Sequence, residues 1–241
     1  MQHFKIEKWS ALAPGLEHPT EWQSWLKSGS RGDAQKVTFP TSFPAPMKRR
    51  LSAHGKLSAA AALSCISEDE QMPTVFASRH GDVNDTLKLL ATLGADDYLS
   101  PTRFSMSVHN AMCGILSIAR KDPSAVTAIS SMNDLLLATL IEAVSQLPNS
   151  PRVLCIICDS PLPEPYPPLP FEADFPWAMS FIVSRESGDL YQMELTPDHD
   201  SANTPNQPLN LVGLLTGLSN TLSMGSGAGR WILKRQGSAR V

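Results

Sequence analysis

Ser124-Ala-Val-Thr-Ala-Ile-Ser-Ser-Met-Asn133 contains a short β-prone run, Ala125–Ile129, that stops at two serines. Asn133–Leu147 follows, apolar almost without interruption, and predicts a long helix buried on most sides. Arg152-Val-Leu-Cys-Ile-Ile-Cys158 is then a continuous apolar run, the pattern of a strand covered on both faces.

Outward from this segment the alternation continues. Ser52–Ile66 is an Ala-rich helix, and Pro73–Ser78 is a short strand leading into Arg79-His80-Gly81-Asp82. Asp82–Leu93 places Val83, Leu87 and Leu90 at helical spacing, with Asp82 suited to the helix N-terminus. Ser107–Ala119 reads as one further helix. Helix, strand, helix, helix, strand, helix, strand between Met47 and Asp159 predicts an α/β fold, with a mostly parallel central sheet layered with helices. Upstream, His3–Leu12 is a strand closed by Pro14-Gly15, and Thr20–Lys27 is a helix with Trp22, Trp25 and Leu26 on one face. Downstream, Pro161–Pro176 is proline-rich, with Tyr166 and Phe171, and predicts an extended connection outside the core. Trp177–Arg185 and Leu190–Thr196 form a strand pair, Asp198–Pro208 a polar loop, Leu209–Leu222 a helix and Arg230–Arg235 a last strand.

The chain has 241 residues, enough for a substantial core, and a globular balance of 42% hydrophobic and 18% charged residues. A formal net charge of −3 argues against nucleic-acid binding, because phosphate neutralisation needs a basic surplus. No apolar window is long enough for a membrane span, and the N-terminus carries no apolar signal core, so the expected location is the cytoplasm. Cys65, Cys113, Cys155 and Cys158 fit reduced thiols there.

Three stretches carry a resemblance to a known family: Pro46–Ala62, Ser100–Gly114 with its Ser-Val-His-Asn-Ala segment, and Val126–Glu142 with the strand Val153–Asp159. In order and spacing they resemble the first half of a β-ketoacyl synthase, a thiolase-like fold, over the region from the N-terminus to about Arg185. They are most similar to the short ketosynthase-like chain-length factors of aryl-polyene clusters. The resemblance implies one ketosynthase-like domain over 1–241, with a thiolase-like N-terminal half at 1–185 and a hairpin, helix and strand extension at 186–241.

In that family the Val-Thr-Ala run delivers a nucleophilic Cys to the start of a buried helix. Here the position is Ile129, which has no lone pair or ionisable group. The histidines that assist decarboxylation belong to a second half with no counterpart here. The resemblance therefore implies a non-catalytic subunit with no cofactor. Its partner would be a full-length β-ketoacyl synthase, and through the complex it would meet an acyl carrier protein. Pairing of the nucleophile strand across the dyad makes Ala125, Val126, Thr127 and Ile129 interface candidates. Phe104, Met106, Val108, His109 and Met112 are candidates to close the partner's acyl tunnel. Lys48-Arg49-Arg50 could attract an acidic carrier protein or simply be a solvated charge run.

Other constellations carry less. His109 and Cys113, four apart on an expected helix, could pair as base and nucleophile, and Ser130 stands beside the vacant position. An independent acyl-transferring or thioester-hydrolysing enzyme using Cys113 or Ser130 is the alternative reading. Cys155 and Cys158 form a Cys-x-x-Cys, but on a strand they point to opposite faces and suit no metal. Gly225-Ser-Gly-Ala-Gly229 lacks the Lys-Ser/Thr of a phosphate loop and reads as a turn.

Overall fold

The computed structural model describes residues 1–33, 37–41, 43–67, 69–169, 172–197, 206–225 and 229–236. Phe171 and the centre of the Gly225–Gly229 run lie outside the described residues, as does most of the polar loop expected at Asp198–Pro208. The chain runs β1 (Gln2–Leu12), α1 (Pro19–Ser28), α2 (Ala45–Lys48), α3 (Ala53–Cys65), β2 (Thr74–Ala77), α4 (Val83–Gly94), α5 (Pro101–Met106), α6 (Ala111–Arg120), β3 (Val126–Ile129), α7 (Leu135–Gln146), β4 (Arg152–Asp159), β5 (Trp177–Ser184), β6 (Asp189–Thr196), α8 (Gln207–Leu215), β7 (Thr221–Met224) and β8 (Arg230–Arg235).

The strands form one eight-stranded sheet in the order β3-β2-β4-β5-β1-β6-β8-β7. Its composition corrects two expectations. Trp177–Arg185 and Leu190–Thr196, read as a strand pair, do not pair with each other, because β1 lies between β5 and β6 and pairs with both. The sheet is also not mostly parallel. Only β3-β2-β4 pair in parallel; β4-β5, β5-β1, β1-β6, β6-β8 and β8-β7 are antiparallel. The helix–strand alternation of residues 47–159 does produce parallel pairs. The N-terminal strand, however, inserts between β5 and β6, and every pairing beyond β4 is antiparallel, outside the helix–strand alternation that generates parallel pairs.

Side-chain alternation along β4 and β5 builds two cores. Val153, Cys155 and Ile157, with Met179, Phe181 and Val183, join α7 and α8 in one. Leu154, Ile156 and Cys158, with Ala178 and Ile182, join α3 and α6 in the other. Cys155 and Cys158 thus lie on opposite faces, as strand geometry requires. Trp22 of α1 is fully buried, and its indole N–H donates to the Ala11 carbonyl at 2.7 Å. The residues after 185 extend the same sheet, and α8 packs on α1, α7 and β7.

α3 lies against β1, β4 and β5, and the small side chains Ala59–Ala62 permit the approach. Ser180 Oγ donates to the Ala61 carbonyl at 2.5 Å, and Cys65 Sγ donates to the Ser180 carbonyl at 3.3 Å, pinning helix to sheet. Three boundaries differ from the sequence reading. The helix expected over Ser107–Ala119 is α6, which starts only at Ala111 after a turn, and a short helix not expected from the sequence, α5, precedes it. The one expected over Leu209–Leu222 ends at Leu215, where Gly217 (φ +76°) turns the chain into β7. The proline-rich segment forms no regular element, yet it sends Phe175 into the first core, edge-on to Trp25 at 5.4 Å.

The α3–sheet approach leaves no room for extra carbon. Ala61→Leu is expected to cost about 1–3 kcal/mol through overpacking, read as a lowered urea midpoint with unchanged slope.

Candidate functional site

The carboxyl ends of β2, β3 and β4 converge, as the ends of parallel strands do at α/β binding sites. Ser78 and Arg79 follow β2, and Asp159 closes β4. Ser78 Oγ–H and the Arg79 backbone N–H both donate to Asp159 Oδ1, at 3.1 and 2.8 Å. The Arg79 guanidinium lies 3.4 Å from Asp159 Oδ2 and 3.7 Å from Glu172 Oε1, which also meets His80 Nε2 at 2.8 Å. Arg79 Nε–H donates to the Met132 carbonyl (3.0 Å), and Ser130 Oγ–H donates to the Arg79 carbonyl (2.8 Å). One buried cluster therefore ties together the turn after β2, the end of β4, the loop after β3 and the proline-rich segment.

Burial pushes the Asp159 carboxyl up to about 6, with Arg79 opposing it. Sequence reasoning missed Arg79, Asp159 and Glu172. The available signal was a charged residue directly after each of two apolar strands. Asp82 was read correctly: its Oδ1 accepts from the Asp85 N–H at 3.4 Å and caps α4.

Ile129, at the end of β3, is half-buried against the first core. Its carbonyl accepts from the Ser78 N–H at 3.2 Å and from His109 Nε2 at 3.0 Å. Nε2 therefore carries a proton. Burial holds the His109 pKa below its ordinary value. The ring also meets Phe76 edge-on at 5.3 Å, and at Gly81 (φ +58°) an added Cβ would stand 3.2 Å from His109 Nδ1. A side chain at position 81 would thus be strained and crowded. The hydrocarbon at Ile129 is framed by polar groups already engaged with one another.

The remaining candidates separate. His109 lies in the turn before α6 and Cys113 within it, so the two do not share a helix face. Cys113 is buried, and burial pushes its thiol up to about 12, the opposite of an activated nucleophile. Ser130 Oγ is engaged by the Arg79 carbonyl. Met106, Val108, His109 and Met112 border one cavity of about 20 Å³ beside the start of α3, whereas Phe104 is 61% exposed and lies apart from it. Lys48 Nζ sits 4.2 Å over the Phe39 ring, while Arg49 and Arg50 are exposed. Among the described residues no group of three or more His, Cys, Asp or Glu is placed to hold a metal ion, and no helix is long and apolar enough to cross a membrane.

β3 is an edge strand, paired only with β2 among the described residues. The Ala125 and Ile129 carbonyls accept from β2 and the residue after it, Thr74 and Ser78, at 2.9 and 3.2 Å. By alternation the backbone groups of Val126 and Ala128 face the open side. Leu90, Leu93, Tyr98, Phe104, Val108, Ile118, Val126 and Met132, all in the segment between β2 and α7, are exposed apolar side chains. α4, expected to bury its apolar stripe, has no fully buried residue; Leu90 points to solvent.

The ion cluster makes two predictions. Arg79→Met strands Asp159 and Glu172 and should cost about 3–5 kcal/mol at pH 7. Because the folded state raises the Asp159 pKa from 3.8 to about 6, the stability this group contributes is full below about pH 4. It is lost as pH rises through about 6. Asp159→Asn should remove that slope, seen as a wild-type-minus-variant difference in urea unfolding between pH 4 and 7.

The beta-ketoacyl synthase N-terminal domain model matches residues 22–231. A chain in the structure of a ketosynthase (ApeO) in complex with its chain length factor (ApeC) from Xenorhabdus doucetiae is similar in fold, with a TM-score of 0.82 and 23% identity over 98% of this chain and 100% of that one. The ishigamide ketosynthase/chain length factor gives a TM-score of 0.62 at 12% identity, over 91% of this chain and 74% of that one. No curated protein matches at a significant level. The thiolase-like α/β fold expected from the sequence is thus present, and with the family model matching most of its length, the chain belongs to the β-ketoacyl synthase N-terminal domain family.

Proposed function

We propose that this chain is the non-catalytic, chain-length-setting subunit of a ketosynthase heterodimer of the aryl-polyene type. The reaction, decarboxylative condensation of malonyl units on a carrier protein, belongs to a full-length β-ketoacyl synthase partner. This chain completes the dimer and shapes the far end of the acyl tunnel.

The observation that carries the reading is the open edge at β3. An unpaired edge strand is a liability in a lone molecule. Antiparallel pairing with the equivalent strand of a ketosynthase would satisfy the outward groups of Val126 and Ala128 and cover the apolar surface around Leu93 and Phe104. Ile129 at the end of the same strand supports the division of labour, since the side chain offers nothing to acylate. The alternative of an enzyme acting through Cys113 or Ser130 fits less well, because one group is buried and protonated and the other is engaged. By the same reading Arg49 and Arg50 are available to steer the acidic carrier protein toward the complex.

Co-expression with the ketosynthase encoded nearest to this chain, tagging this chain alone, should give a one-to-one complex whose condensation activity disappears when the partner's nucleophilic Cys is replaced. Ala128→Pro removes an outward-facing N–H that β2 does not use. It should abolish co-purification while the circular dichroism of the variant stays that of the wild type. Retained pairing in Ala128→Pro would contradict the strand-pairing model.

A further inference from the structure

His54 stands in the first turn of α3 and is only 8% exposed. Its ring is fixed by the second core: Nδ1 lies 3.5 Å from Cys158 Sγ, and the ring meets Phe76 edge-on at 6.3 Å. Burial brings the imidazole pKa down to about 4, so the ring is neutral. The other nitrogen, Nε2, has no hydrogen-bond partner among the described residues. An orphan polar atom at this depth calls for a physical account.

Two spaces border this residue. Toward the exposed α5–α6 face lies the cavity of about 20 Å³ lined by Met106, Val108, His109, Met112 and Asp82 as well as His54. That is room for about one water. On the other side an open, largely apolar groove of about 420 Å³ is lined by Val37, Phe39, Leu57 and Ala60, and again by His54. Among the described residues His54 alone lines both.

We infer that His54 is the end wall of the acyl tunnel, the residue that fixes where a growing hydrocarbon stops. The inference rests on the accessory-subunit reading and assigns the length limit to a residue outside the 104–112 segment. A hydrocarbon arriving past Met106 and Val108 meets a water-sized hole bordered by His54, Asp82 and His109. Apolar carbon in that hole returns no hydrogen bond to these groups, so burying them against it is costly. The hydrocarbon must also displace a ring held between Cys158 and Phe76 in a close-packed core. The groove offers the space that the cavity lacks. His54 borders both the tight polar hole and the wider apolar groove, and shortening its side chain is expected to join the two.

The test uses the complex of the full chain with its ketosynthase and carrier protein, with products released and sized by mass spectrometry. H54A should shift the products by at least one extension unit toward longer chains. H54F, which keeps the wall filled, should give none longer than wild type. If H54A does not co-purify, H54N, shorter but still polar, should give the same lengthening. Wild-type lengths from both shortened variants would overturn the inference and leave the heterodimer standing. Equal lengthening in H54F and H54A would also overturn it, since general loosening would then be the cause. Failure of the wild-type chain to form the complex would instead bring down the reading on which this rests.

Discussion

β4 is buried from Val153 to Asp159, and everything else is arranged around that constraint. A strand with water on neither face must have a helix layer on each side and a neighbour along each edge. α7 and α8 cover one side, α3 and α6 the other, and β2 and β5 supply the neighbours. On the β5 side the sheet continues through five antiparallel strands. On the β2 side it ends after β3, four residues long, with its outer groups unpaired among the described residues.

That asymmetry locates function. The strand ends near β3 hold a buried charge cluster, and the segment from α4 to the loop after β3 carries many of the exposed apolar side chains. On the proposed reading, this is the corner at which a catalytic ketosynthase presents its nucleophile. Here it presents Ile129, with its carbonyl held by Ser78 and His109 and the following loop braced by Arg79 through Met132. On that reading, the corner keeps a defined shape and is matched by another protein rather than transforming a substrate. His54, the proposed end wall, is buried and borders the cavity lined by Met106, Val108 and His109.

Much of this was legible in the sequence. β2, α3, α4, β3, α7 and β4 fall within two or three residues of their expected ranges, because each is a continuous apolar run or a clear helical stripe. The sheet's largely antiparallel character was not legible, since the β4-β5 and β5-β1 pairings join segments whose partners no local pattern names. The late start of α6 was missed because Ser107–Ala119 has helical composition throughout, while its first residues turn to bring His109 onto Ile129. Glu172 and Phe175 were hidden by the prolines around them: composition showed an extended segment, not which of its side chains turn inward. The expectation of a vacant nucleophile position rests on one residue, Ile129, whereas the orphan nitrogen of His54 depends on what surrounds it in three dimensions.

The central claim is that the open edge of β3 is closed by a partner strand. Hydrogen–deuterium exchange over residues 124–131, with and without the co-expressed ketosynthase, tests it most directly. The account predicts fast exchange at the Val126 and Ala128 amides in the isolated chain and strong protection in the complex. A stable complex in which those two amides still exchange at the isolated rate would contradict it.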